Sequence, residues 1–293
     1  MFLIFLSLFV FPAWTPALEP FDSTWFDNRA EITTYALKEN RYNEIRTGMR
    51  TMIFVTEPML LDKLIKPDRP ISSKNQIQVL KLNDLRKFAT GIYDYSVMTS
   101  VFGALEERPT IPLFSTMKVA FSCQEWCGTV SEYLYRLSNT FQGKLDSYFE
   151  IEGSYTYEFL HQNQTESEEA FWIKIRELKK PWLTEGEKIK IQIIPSMWGR
   201  RKDHIRAKIE QGEIQKGTKT ILSTALGNLA AVPWTWAYNN KQVTVFVEAD
   251  YPHRILTFQE ADGTSGEIIT STRTTYWQKN TNKDLNLRKE LGL

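Results

Sequence analysis

The chain has 293 residues, near the top of the single-domain range, and 42% of them are hydrophobic, enough for a sizeable core. Thirty-six Lys and Arg against 35 Asp and Glu leave a net charge of +1, which excludes a global electrostatic pull toward nucleic acid or an anionic membrane surface. Aromatic residues reach 13%, nine of them Trp, a bias toward rings buried in β-structure or lining a cavity.

The chain opens MFLIFLSLFVFPAWTPALEP. Phe2 to Phe11 is an apolar run broken only by Ser7, too short to cross a bilayer, and small residues and prolines follow it. This is the form of a secretory signal peptide over residues 1–17, although no Lys or Arg precedes the apolar stretch. The expected location is therefore an exported one. No later segment is long and apolar enough to span a membrane, so no transmembrane span is expected in the mature chain.

Beyond the leader, polar and apolar residues alternate in short stretches. AEITTYALKE reads as a strand, and RTGMRTMIFVTEP as another that ends at its Pro. NQIQVLKLNDLRKFATGIYDYSVMTSVF holds two arms with a break at Lys87 to Thr90; TMKVAFSCQEW, GTVSEYLYRLS and GKLDSYFEIEGSYTYEF continue the pattern. In KIKIQII, Ile189, Ile191 and Ile193 share one face while Lys188, Lys190 and Gln192 share the other. VTVFVEAD and GEIITSTRTTYWQKN follow, the latter after a hairpin turn at Asp262-Gly263. Helical signals are fewer. TESEEAFWIKIRELKK opens with a capping-box spacing, Thr165 to Glu168, puts Ala170, Ile173 and Leu178 on one face, and stops at Pro181. ILSTALGNLAA reads as a second short apolar turn, and LDKLIKPDRPISSKNQ as a loop. The expected fold is mainly β: a mostly antiparallel sheet with one wet face and one or two helices packed on it. Two lobes, 18–165 and 166–293, or one continuous domain would both fit.

Chemistry-bearing motifs are sparse. Glycine-rich phosphate loops, H-E-x-x-H and G-x-S-x-G are all missing, so no cofactor is expected. Both cysteines fall in FSCQEWCGTV. On a strand, Cys123 and Cys127 would point the same way but lie roughly 13 Å apart, too far for a disulfide unless the chain turns between them. Buried structural thiols, a disulfide and a nucleophilic Cys127 with Glu125 as base all remain open. Only His161, His204 and His253 exist, none adjacent in sequence, and no metal site is expected. WGRRKDHIRAK is the one basic cluster, read as the solvated face of a strand and turn, with a phosphate or lipid head group as the alternative ligand. Asn163-Gln164-Thr165 is a formal glycosylation sequon.

Three phrases in order, YNEIRTGMRTMIFVTEPM, VLKLNDLRKFATGIYDYSVMTSVF and KVAFSCQEWCGTV, resemble a family of bacterial secreted or envelope proteins of unknown function. Some of its members are labelled septum formation inhibitor Maf. The resemblance spans about Glu31 to Glu152. In that family the central phrase runs Gln-Glu-Trp-Cys-Gly-His; here Thr129 replaces the His, which weakens any Cys–His role. True Maf nucleotide pyrophosphatases carry a phosphate-handling Ser-x-Arg-Arg segment near the N-terminus that this chain lacks, so that activity is not implied. VTVFVEADYPHRILTFQEADGTSGEIITSTRTTYW is similar in rhythm to the last hairpins of periplasmic β-proteins of the DUF3108 and lipoprotein-carrier type, a resemblance that implies a curved antiparallel sheet or open β-barrel with a helix over its concave face.

The leading expectation is thus a non-enzymatic envelope protein whose concave sheet binds a lipid or other apolar small molecule through Tyr93, Tyr95, Trp126, Tyr148 and Phe149. The alternatives are a hydrolase or transferase acting at Gln124 to Cys127, and an assembly partner that offers a sheet edge to another envelope protein.

Overall fold

Residues 20–69, 72–160 and 164–293 are described by a computed structural model; the expected leader and Asn163 of the sequon lie outside them. The alternation of apolar and polar residues becomes sixteen strands. The first eight are β1 (Ala30–Arg41), β2 (Glu44–Leu60), β3 (Gln76–Thr90), β4 (Tyr93–Ala104), β5 (Thr116–Glu125), β6 (Gly128–Arg136), β7 (Thr140–Ser147) and β8 (Ser154–Leu160). The rest are β9 (Thr165–Ser167), β10 (Lys188–Ile194), β11 (Glu210–Lys216), β12 (Thr220–Thr224), β13 (Gly227–Tyr238), β14 (Lys241–Glu248), β15 (Ile255–Glu260) and β16 (Ser265–Thr274). The helices are short: α1 (Pro20–Trp25), α2 (Glu168–Lys174), α3 (Met197–Asp203) and α4 (Leu287–Glu290).

One sheet contains every strand, in the order β8-β7-β6-β5-β4-β3-β2-β1-β16-β15-β14-β13-β11-β10-β9, with β12 paired to β13. Pairing is antiparallel throughout except for β9 beside β10. β1 pairs with β16, so the first and last strands of the long hairpin series sit side by side in the middle of the sheet. The ends of the series, β8 and β9, do not meet, and the sheet is open rather than closed into a barrel. It nevertheless curls around α2. A Cβ added at Gly103 on β4 would lie 3.3 Å from Ile173. On the other side, the Trp172 ring meets Trp236 of β13 and Phe258 of β15 edge-on, both at 5.5 Å. α2 is buried on all its faces, which is why its seven residues hold together without the length that an isolated helix needs.

Several expectations change. The helix is confined to 168–174, because Thr165 to Ser167 form a strand that pairs with β10. The expected capping box does not form: Ser167 is the N-cap without a side-chain bond, and the Glu168 carboxylate is drawn to β13 instead. ILSTALGNLAA is the β12–β13 hairpin; Gly227, at φ 105°, supplies a left-handed turn that would break a helix. β2 runs on through Pro58 to Leu60. Beyond Phe54, opposite Glu31, β2 has lost its β1 neighbour, so a residue without an N–H is tolerated. GKLDSYFEIEGSYTYEF, which continues the alternating pattern, divides into two strands around a turn at 148–153. The basic cluster WGRRKDHIRAK is no solvated strand: it contains α3, with Arg200 and Arg201 buried.

Candidate functional site

Antiparallel alternation sends the β1–β2, β3–β4, β5–β6, β7–β8, β13–β14 and β15–β16 turns to the same end of the sheet. α3, between β10 and β11, lies at that end too. In the first eight strands the turn positions are held by Tyr42-Asn43, Gly91-Ile92, Trp126-Cys127 and the longer 148–153 segment. Successive hairpin tips along such a sheet stand about 10 Å apart, two strand spacings. Ile92, Trp126, Tyr148 and Ile151 are 87%, 72%, 76% and 69% exposed, and Tyr42, Ile45 and Ile205 add to the same rim. Other exposed apolar side chains lie elsewhere: Ile65, Leu137, Leu160 and Ile221 toward the opposite end of the sheet, and Leu285 in the C-terminal segment. Tyr148 is held in place because Gly128 has no side chain: a Cβ there would strike the Tyr148 ring at 2.6 Å.

The five aromatic residues expected to line the concave face are therefore divided. Tyr95 is buried there, stacked on Phe88 at 5.0 Å, with its hydroxyl 2.9 Å from that of Tyr42. Tyr93 packs beside it, at 5.9 Å between ring centroids. Phe149 lies under the Arg201 guanidinium at 4.4 Å. Trp126 and Tyr148 stand on the tips in solvent.

Nor is the concave interior an apolar pocket. Inward positions of the central strands carry charges: Glu39 and Arg41 on β1, Arg50 on β2, Asp84 and Arg86 on β3. Arg50 forms a two-pronged pair with Asp84, both contacts 2.8 Å, and lies flat between Trp172 at 4.0 Å and Phe258 at 4.4 Å. Arg86 donates to Glu39 at 2.9 Å. Arg176, from the segment after α2, makes the same two-pronged contact with Glu31 at 2.8 and 2.9 Å. What space remains among Asp84, Arg86, Glu168, Glu169, Trp172 and Glu260 is about 40 Å³, room for a few waters and too little for an acyl chain.

This polar interior holds α3. Ser196 caps it, its hydroxyl accepting from Gly199 N at 3.0 Å. Glu169 accepts from Met197 N at 2.6 Å, and Glu168 from Ser196 N at 2.9 Å. The Glu168 carboxylate also takes the Trp236 indole N–H at 2.9 Å and the Tyr238 hydroxyl at 2.6 Å. Trp198 donates to Glu39 at 2.9 Å, and Lys202 reaches Glu39 at 3.2 Å and Asp262 at 2.7 Å. Burial works to raise the Glu39 carboxyl, but Arg86, Lys202 and the Trp198 N–H outweigh it and hold it below the usual carboxylate range. At Glu169 burial prevails instead. Burial lifts it to about 7, against bonds from Ser167 and Met197, and the neighbouring Glu168 adds to the rise.

At the rim, the FSCQEWCGTV segment is the β5–β6 hairpin. Cys123 faces the core and Cys127 faces solvent, both as free thiols. Glu125 accepts from Cys127 N at 2.7 Å, which makes it a turn-stabilising group. Its carboxylate pushes the Cys127 thiol up, the opposite of what activates a nucleophile. Burial pushes Cys123 up to about 11. His204 meets Arg201 and Glu152, while the His253 ring meets the Glu248 carbonyl. Among the described residues, no three His, Cys, Asp or Glu side chains converge as a metal site, and no helix is long and apolar enough to cross a membrane.

Beside the β5–β8 tips, a cleft opens between α3 and those strands, lined by Glu132, Glu152, Arg200, Arg201 and Arg206 together with Ile151 and Ile205. Sequence reasoning missed this grouping, because its members come from three separate segments. The apolar tips did leave a signal: an Ile directly after a turn glycine, and a Trp in a two-residue hairpin loop, are choices that turn chemistry does not require. Against known proteins, the chain matches no family model, no curated protein and no solved structure.

Proposed function

We propose that this is a non-enzymatic, exported envelope protein that contacts a lipid or other apolar molecule through its hairpin rim rather than through the depth of its concave face. One observation carries the reading: Ile92, Trp126, Tyr148 and Ile151 project from neighbouring tips at one end of a sheet whose interior is filled. Trp and Tyr join an apolar body to a polar edge, which suits the boundary between headgroups and acyl chains. Separate tips on an uneven rim fit a fluid partner, which moulds itself to them, better than a rigid one. Each such side chain gains roughly 1–2 kcal/mol when its exposed apolar surface leaves water. A row of them would match the marginal, reversible anchoring of a single acyl chain, with an association constant of about 10⁴ M⁻¹. The near-zero net charge implies that this binding is nearly independent of salt.

Co-sedimentation of the purified protein with phosphatidylcholine–phosphatidylethanolamine vesicles tests the reading. The expected result is weak, reversible binding that persists in high salt and is lost when Ile92, Trp126 and Tyr148 are all changed to Ser. Binding that survives in the triple variant, or no binding by the wild type, contradicts it.

A further inference from the structure

The cleft beside the rim contains more positive charge than its own carboxylates use. Glu132 accepts from Arg200 Nη2 at 2.7 Å and from the Tyr157 hydroxyl at 2.5 Å. Glu152 accepts from Arg201 Nη1 at 2.8 Å, from the Ser147 hydroxyl at 2.6 Å, and faces His204 Nδ1 at 3.1 Å. Both carboxylates are thus engaged, yet donors remain. Arg200 and Arg201 are only 3% and 6% exposed. Nη1 of Arg200 and Nε of Arg201 are buried without a hydrogen-bond partner. A guanidinium N–H left unpaired in a protein interior is costly, and an acceptor that reached these two, on adjacent residues of α3, would satisfy them. The third guanidinium, Arg206, rests on the Tyr155 ring at 4.9 Å and is open to solvent at the cleft mouth. Three guanidinium groups against two carboxylates leave an excess positive charge even with His204 neutral.

The remaining wall is apolar. Phe121, Val130, Leu145 and Met197 form its base, and Ile151 and Ile205 stand at its mouth, continuous with the exposed rim. The cleft itself holds about 20 Å³, half of the space left in the interior, so it admits an oxygen or two of a head group and leaves the rest at its open mouth. Guanidinium groups are the natural partners of planar and tetrahedral oxyanions, with paired N–H donors and weak hydration.

We infer that this cleft binds the oxyanion head, carboxylate or phosphate monoester, of an amphiphile whose apolar tail lies along the Ile151–Ile205 rim. The inference rests on the proposed apolar contact at the rim and specifies the chemistry at one end of it. A free inorganic anion would use the arginines but leave the apolar mouth without a purpose; a neutral lipid would do the reverse.

Calorimetric titration of the intact protein with laurate, dodecyl phosphate, dodecyl maltoside and inorganic phosphate separates these cases. Laurate and dodecyl phosphate should each bind at least about tenfold more tightly than dodecyl maltoside or inorganic phosphate. Arg206→Glu, at an exposed position, should weaken both anionic amphiphiles by about tenfold and leave dodecyl maltoside unchanged. Ile151→Ser should weaken every tailed compound and spare inorganic phosphate. Equal binding of dodecyl maltoside and laurate, or an Arg206→Glu variant that binds laurate as the wild type does, overturns the oxyanion site while leaving the rim reading intact. Inorganic phosphate that binds as tightly as dodecyl phosphate overturns the amphiphile. Failure of every tailed compound, together with failure of the vesicle assay, removes both readings; laurate binding without vesicle binding keeps the cleft and removes the membrane contact.

Discussion

At one end of the sheet, two sets of hairpins meet the same turn requirement with different residues. Asn239-Asn240 joins β13 to β14, and Ala261 to Thr264 joins β15 to β16. Asn239 at φ 48° and Gly263 at φ 90° take the left-handed conformations that such turns need, with side chains that suit water. These turns are also tied down: Asn40 Nδ2 donates to the Asp262 carbonyl at 2.5 Å, and Lys202 holds the Asp262 carboxylate. The tips of β3–β8 place Ile92, Trp126, Tyr148 and Ile151 in solvent instead. Tyr42, at φ 58°, even accepts a left-handed conformation that a bulky residue disfavours by about 1 kcal/mol, although Arg41 stacks on its ring at 4.1 Å. The polar tips are explained by folding alone. The apolar tips cost solvation and return little to the core, so their explanation lies in what they touch.

The largest expected effect comes from the charges beneath the polar half. Arg86→Met would leave the buried Glu39 and Asp84 and the half-buried Glu260 around a missing cation, and should cost about 3–5 kcal/mol in chemical denaturation. A loss below about 1 kcal/mol would show that these charges do not hold α3 in place. At the apolar tips the order of effects reverses. The Ile92→Ser, Trp126→Ser, Tyr148→Ser combination should abolish vesicle binding yet cost less than about 2 kcal/mol of stability, most of it at Tyr148 where the ring covers Gly128. Equal losses of stability and binding would make the tips structural and erase the contrast.

A smaller effect concerns pH. Because burial lifts Glu169 to about 7, the folded protein keeps a proton there that the unfolded chain releases near the ordinary carboxylate value of 4.5. The associated stability is complete below that lower value and fades as pH rises through about 7. Wild type should therefore lose stability relative to Glu169→Gln over that interval, at no more than about 1.4 kcal/mol per pH unit. Parallel melting-temperature profiles for the two proteins would refute the buried proton. Smallest is the thiol. With Glu125 raising its pKa, Cys127 should alkylate more slowly near neutral pH than an unstructured cysteine, and Glu125→Gln should speed it a few-fold. A wild-type Cys127 that outpaces the unstructured thiol would revive a nucleophilic role.

The β architecture was legible because period-two alternation survives in many strands, KIKIQII the clearest of them. What alternation could not reveal is which chemistry occupies the inner face. Asp84 and Arg86 fall at inward positions of β3, but their partners Arg50 and Glu39 come from other strands, and only the sheet register unites them. The same holds for Arg200 and Arg201, which look like a solvated basic run until Glu132 and Glu152 are brought against them from distant segments. α2 was overextended for a related reason: Thr165 to Glu168 has the spacing of a cap, and a parallel pairing with β10 claimed its first residues. The aromatic list mixed two populations, since sequence shows that Tyr95 and Trp126 are aromatic but not that one ends inside the sheet and the other on a tip.

The exposed Cys127 and the buried Cys123 make the most direct measurement practicable. An environment-sensitive nitrobenzoxadiazole label attached selectively at Cys127 sits next to Trp126, on the tip that should enter the bilayer interface. Adding phosphatidylcholine–phosphatidylethanolamine vesicles should shift its emission to the blue and raise its intensity, and the Ile92→Ser, Tyr148→Ser variant should reduce both changes. An unchanged emission while the protein sediments with the vesicles would place the contact elsewhere on the molecule and contradict the account.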